Sequence, residues 1–193
     1  YAKYIALSDD FKDLNISAVD LKELKNIQKN LQKIIDKKQF KNNYIIYKSL
    51  AFNYLFDKNT DKAIEFIKKA MNLWPKDKIA NDYYILFSIH YFINNDTIAA
   101  LSVIDEKIKY NSDLHLKKSG DYVLKGNVLL QKQDFMGAEK AYNDALLIEQ
   151  TTNAYLGLSI KHIWDKNFAE ANKYINKAYD VDKEYYLTYA LFG

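Results

Sequence analysis

Cysteine is absent, which excludes a disulfide framework, a thiolate metal site and a cysteine nucleophile. Arginine is absent as well, so all 28 basic residues are lysine. Phosphate and base-edge recognition leans on the planar, bidentate guanidinium fork, which an ammonium cannot reproduce. A net charge of +3 is also weak for a polyanion binder, so nucleic acid is not an expected partner. Glycine occurs five times and proline once, both well below ordinary usage. A β-sandwich or barrel needs many tight turns, and the residues that build them are scarce. No run of about 18 apolar residues occurs, so no segment is expected to span a bilayer as a helix.

What remains is a chain of 193 residues, 49% hydrophobic, with 17 tyrosines. That is enough for one domain or a short repeat array with a sizeable core, and too apolar for wholesale disorder. Heavy use of lysine, asparagine, isoleucine and tyrosine fits an AT-rich bacterial genome. Four segments place a small residue twelve positions before an alanine: Ala51 and Ala63, Ser88 and Ala100, Gly126 and Ala138, Ser159 and Ala171. Polar turn signals lie between the members of each pair, as in Asp57-Lys58-Asn59-Thr60 and Asp165-Lys166-Asn167. Each segment is expected to form a helix, a tight turn and a second helix, with the small residues letting the two backbones approach.

Around these anchors the chain resembles the tetratricopeptide repeat (TPR), whose first helix carries aromatic, leucine, small and tyrosine positions and whose second carries alanine, phenylalanine and alanine, with proline at the exit. The first unit has Tyr47, Leu50, Ala51, Tyr54, Ala63, Ile67, Ala70 and Pro75. The second has Tyr84, Phe87, Ser88, Tyr91, Ala100 and Ile104, but Lys107 where a small residue is expected. The third has Tyr122, Gly126, Leu129, Ala138, Tyr142 and Ala145, with Lys125 at an apolar place. The fourth has Tyr155, Leu158, Ser159, Ala171, Ile175 and Ala178, with His162 at the tyrosine place. Spacings between the second-helix alanines are 37, 38 and 33 residues, so two inter-repeat turns are longer than the family's usual period of about 34. The resemblance implies an all-α fold, a right-handed superhelix of TPR-like helical hairpins (an α-solenoid) with about four repeats plus an N-terminal and a C-terminal helix.

The expected organisation is an arm over 1–17, an amphipathic helix and linker over 18–42, and a repeat domain over 43–193. Its repeats fall at about 43–77, 78–113, 118–150 and 151–183, with a partial one at 184–193. Leu21, Leu24, Ile27, Leu31, Ile34 and Ile35 form the apolar stripe of the N-terminal helix, and Ser17 or Asp20 can cap it. The final segment carries Tyr185, Tyr186, Leu187, Leu191 and Phe192 with few polar residues. Solenoids normally end on a polar face, so this end is expected to continue or to self-associate.

Chemistry is sparse. His90, His115 and His162 have no metal-ligand spacing, and His162 falls on a packing face, where a core histidine is the plainer explanation. Isolated glycines build no phosphate loop. No catalytic residue, cofactor or metal is assigned, and the chain is not expected to be an enzyme. Tyr47, Tyr54, Tyr84, Tyr91, Tyr122, Tyr142 and Tyr155 occupy places where the repeat asks for aromatics, which explains them without a base-stacking surface.

In TPR proteins the first helices line the concave side. The resemblance therefore implies a partner-binding row next to the packing stripe, on one face by i, i+4, i+7 and i+8 spacing. The row comprises Lys48, Phe52, Leu55 and Phe56; Ile85, Ile89, Phe92 and Ile93; Val123, Asn127, Leu130 and Gln131; and Leu156, Ile160, Ile163 and Trp164. It is mostly apolar. Lys48 and Asn127 are its only residues of the kind that clamp an acidic C-terminus, so an apolar helix or extended segment of another protein is the expected ligand. The alternative is a groove filled by the chain's own N-terminal segment.

The expected function is a protein–protein interaction scaffold that stabilises a bacterial complex. Alternatives are a helical-hairpin RNA binder of the pentatricopeptide kind, against which the missing arginine argues, and a regulatory domain of an enzyme. The first residue, Tyr1, leads to the expectation of a signal peptide or membrane anchor upstream. A bacterial envelope location follows from that, with the cytoplasm as the alternative.

Overall fold

The computed structural model describes residues 18–74 and 79–185, with side chains from residue 22 onward. The arm over 1–17, Pro75, and the terminal Tyr186, Leu187, Tyr189, Leu191, Phe192 and Gly193 lie outside the described residues. Among the described residues the regular structure is helical, with no strand. The helices are α1 (Ala18–Ile35), α2 (Tyr44–Phe56), α3 (Thr60–Leu73), α4 (Ala80–Ser88), α5 (Thr97–Asp113), α6 (Ser119–Gln131), α7 (Phe135–Leu146), α8 (Thr152–Trp164) and α9 (Phe168–Val181). A π-helical turn, Ile89–Ile93, prolongs α4. The chain divides into two compact units, Tyr1–Asn95 and Asp96–Gly193.

One turn recurs between first and second helices. Lys58, Asn95, Gln133 and Lys166 each take a left-handed backbone, with φ of 56°, 52°, 61° and 58°. The next residue caps the second helix. Asn59, Asp96, Asp134 and Asn167 accept from the backbone N–H of Lys62, Ala99, Gly137 and Glu170 at 2.9–3.2 Å. The N–H of Asn59, Asp134 and Asn167 also reaches back to the carbonyl of Tyr54, Leu129 and His162, at 2.8–2.9 Å, and closes a Schellman-type end. At the π-helical turn a bond of the same span falls before the left-handed residue, from Asn94 N–H to Ile89 C=O at 2.9 Å. None of the left-handed residues is glycine, so each turn carries a steric cost of about 1 kcal/mol that its cap and packing must offset.

In unit 1, α1 lies on α2, and the Gln28 side chain donates to the Asn53 carbonyl at 3.3 Å. Helices α2 and α3 pair closely. Leu50 and Ala51 of the former and Ala63, Ile67 and Ala70 of the latter are fully buried. Phe66 stacks on Tyr54 at 5.4 Å between ring centroids and leans on Tyr47 at 6.1 Å. Leu55, Ala63 and Ile89 form one core cluster.

In unit 2 the core gathers Val123, Leu129, Ala138, Ala141, Tyr142, Ala145, Ala154 and Leu158. Tyr142 of α7 is fully buried and faces two glycines. A Cβ at Gly126 of α6 would stand 2.5 Å from its ring, and one at Gly157 of α8 closer still. The hydroxyl donates to Asn127 Oδ1 at 2.8 Å. The side-chain volume that two glycines surrender is thus filled by a single ring (a close-packing solution in which neither neighbour can grow).

Every departure from the repeat pattern has a partner within unit 2. Lys107, where other repeats bury Ala70, Ala145 and Ala178, is itself buried and ion-paired with Asp121. Buried Asn111 donates to the other Asp121 oxygen. Lys125 pairs with Asp105 at 2.7 Å across the same two helices. His162 stacks on Tyr174 at 5.3 Å with planes 8° apart, and its Nδ1 is buried without a hydrogen bond. The ring is accommodated by stacking rather than by polar satisfaction.

Candidate partner-binding faces

The first-helix row splits in the structure. In unit 1, Leu55 and Ile89 are buried in the core cluster, and Ile85 packs half-buried against it. Phe52, Phe56 and Ile93 keep 36%, 37% and 42% of their surface exposed. Phe92 is half-buried, edge-on to Tyr91 at 4.9 Å and to Phe87 at 6.4 Å. In unit 2, Val123 is buried and Leu130 packs on the core. Leu156 is half-buried, while Ile160, Ile163 and Trp164 are exposed.

Lys48 and Asn127 are both engaged internally. The Lys48 ammonium sits 2.6 Å from Asp82 Oδ1 and donates to the Tyr44 hydroxyl at 2.8 Å. Tyr44 in turn donates to Asp82 Oδ2 at 2.9 Å. Asp82, in the first turn of α4, is fully buried. Burial works against the Lys48 ammonium, but its hydrogen bonds to Asp82 and Tyr44 outweigh that and hold its pKa above the ordinary lysine value. Burial also raises the Tyr44 phenol; Lys48 opposes the rise and Asp82 adds to it. Asn127 accepts from Tyr142. The Lys48 ammonium is committed within the fold rather than held ready for a carboxylate.

Three apolar residues outside the predicted row keep surface open: half-buried Phe135 and exposed Met136 and Phe168. Phe135 lies 6.0 Å from the Trp164 ring, and Phe168 and Met136 are 66% and 86% exposed. Phe135 and Phe168 each open a second helix. Attention to first helices alone misses them, although an apolar residue directly after the capping Asp134 or Asn167 is a visible signal. On the same helix as Trp164, Lys161 pairs with Glu139 at 2.6 Å and Asp165 at 2.8 Å. Its hydrogen bonds to Asp165 and then Glu139 raise its pKa against a smaller effect of burial. Among the described residues no group of three or more histidines and carboxylates could hold a metal ion, and no helix is long and apolar enough to cross a membrane.

Hairpins with small anchors, a shared capped turn and apolar first-helix faces define the TPR fold. Solved structures agree. MamA superposes with a TM-score of 0.63 at 23% identity, over 89% of this chain and 98% of its own. YrrB, a TPR protein with an unusual peptide-binding site, gives 0.62 at 14% identity, over 98% of this chain and 91% of its own. PilW, a widely conserved type IV pilus biogenesis factor, gives 0.56 at 15% identity, over 93% and 76%. Compared by sequence, the chain matches no family model and no curated protein. These likenesses establish the fold.

Proposed function

We propose that the chain is a protein–protein interaction scaffold whose first-helix faces receive an apolar helix or extended segment of a partner protein. One observation carries this reading: Lys48, the row's one cation, is paired inside the fold, while Phe52, Phe56, Ile93, Ile160, Ile163 and Trp164 remain open. That combination favours an apolar ligand over an acidic tail. It also favours binding over catalysis, since no titratable group of the row is free for proton transfer. Covering Ile160, Ile163 and Trp164, each roughly half exposed, contributes about 2–5 kcal/mol. Association alone costs about 4 kcal/mol or more, so Phe135, whose ring lies against Trp164, and further contacts must join for stable capture. YrrB, with its peptide-binding site, offers a precedent for this fold.

An arrayed peptide library tests it. Bound peptides should carry apolar residues at i, i+3 or i+4, and i+7, and Ile160→Asp with Trp164→Asp should abolish their capture while far-UV circular dichroism is unchanged. Enrichment of acidic C-terminal peptides, or capture indifferent to both substitutions, would sink the assignment. Ile89→Asp serves as the contrast, because it strikes the core and should unfold unit 1.

A further inference from the structure

Helix α1 carries Lys22, Lys25, Lys29 and Lys33 at helical spacings of three and four, so the four ammoniums share one face. All four are exposed, while Gln28 and Ile35 on another face are buried where the helix lies on α2. The row extends over roughly 16 Å of helix. Within the helix no carboxylate stands three or four residues from any of these lysines; Glu23 has Asn26 and Ile27 at those places. Elsewhere some lysines do meet carboxylates, as Lys69 with Glu65, Lys125 with Asp105 and Lys173 with Glu170. In α1 Lys25 and Lys29, and Lys29 and Lys33, stand at i, i+4 to each other. Such like-charge pairs destabilise a helix, and the one carboxylate at a comparable spacing is Asp36, three residues after Lys33 and just past the helix end.

We propose that this lysine face docks the protein on an anionic lipid bilayer. The chemistry favours a bilayer over other polyanions. Ammoniums are point charges without the geometric demands of a guanidinium, and a fluid layer of headgroups adjusts to whatever spacing they present. A folded acidic partner or a nucleic acid duplex presents fixed charges, and recognition of those gains from arginine, which this chain lacks. The surface field adds for each lysine near the headgroups, so four lysines in line give reversible, salt-sensitive adsorption without insertion. This surface is separate from the apolar first-helix faces and stands without them.

Vesicle co-sedimentation decides the matter, using phosphatidylcholine alone and phosphatidylcholine mixed with phosphatidylglycerol, at low and high salt. The protein should pellet only with the anionic vesicles and be released by salt. Removing each charge by Lys25→Gln, Lys29→Gln or Lys33→Gln should weaken partitioning about five-fold. Lys132→Gln, on an exposed lysine of unit 2, should change nothing. Equal binding to neutral vesicles, no loss in the triple glutamine variant, or tighter binding to polyglutamate or duplex DNA than to anionic vesicles at the same salt would each overturn the proposal. The glutamine variants relieve repulsion within α1, so unfolding does not confound them.

Discussion

Units 1 and 2 each bury an aspartate in the first turn of a first helix, and each pairs it with a lysine, yet they build the surroundings differently. Around Asp82 in unit 1, Lys48 keeps 26% of its side chain exposed and a phenol shares the carboxylate. Around Asp121 in unit 2, Lys107 and Asn111 are both buried. The packing differs in the same sense. Unit 1 fills the space between α2 and α3 with stacked rings, whereas unit 2 sets one ring against two glycines. Burying a charge is tolerable only when its partner is fixed, so the drier site depends more strictly on each member.

Asp121→Ala is the severest way to break that comparison. It strands the Lys107 ammonium and should cost about 3–5 kcal/mol in urea denaturation. Adding Lys107→Ala, the residue of the other repeats, should recover most of the loss. Asp82→Ala should cost about 1–3 kcal/mol, because Lys48 can turn to water. If the two aspartates prove equally costly, the distinction between an open and a dry site fails.

Gly157→Ala comes next. Its methyl would overlap the immobile Tyr142 ring and should destabilise unit 2 by about 1–3 kcal/mol despite alanine's better helix propensity. Gly120→Ala, with nothing within 4 Å, should stabilise by about 0.5–1 kcal/mol. A thermal-shift pair of opposite sign is the expected outcome.

Lys58→Gly in unit 1 and Lys166→Gly in unit 2 should each stabilise by about 0.5–1 kcal/mol, because the left-handed turn is common to both. Unequal effects would show that the turns are not equivalent.

Alkaline pH gives the smallest and most selective effect. The fold favours the ammonium of Lys48, so its stabilisation is complete below the ordinary value of 10.5 and is lost as pH rises through the raised folded pKa. The raised Tyr44 phenol works in the same direction. Lys161 imposes the same sign on unit 2. Denaturation profiles should therefore fall above about pH 10.5, and Lys48→Met should flatten the share belonging to unit 1.

The hairpins were legible because small anchors, polar turns and aromatic places recur together, and each of these is a local feature. Which member of the first-helix row stays exposed was not, since a row at the margin of the packing stripe turns in or out with its neighbour. Leu55 and Ile89 fall inward against Ala63, whereas Phe56 and Ile93, one and four residues on, stay out. The ion pairs were hidden for a related reason. Lys107 and Lys125 stand out as departures from the pattern, but their partners Asp121 and Asp105 lie on another helix, where no periodicity points to them.

The Lys107–Asp121 pair bears on how such arrays can be rebuilt. Repeat proteins invite the view that their modules are interchangeable bricks. Here α5 and α6 are mated halves: either one grafted beside a consensus neighbour would bring an orphan charge into a dry seam. A lineage could reach or leave this arrangement only through a poorly folded intermediate or by changing both positions together.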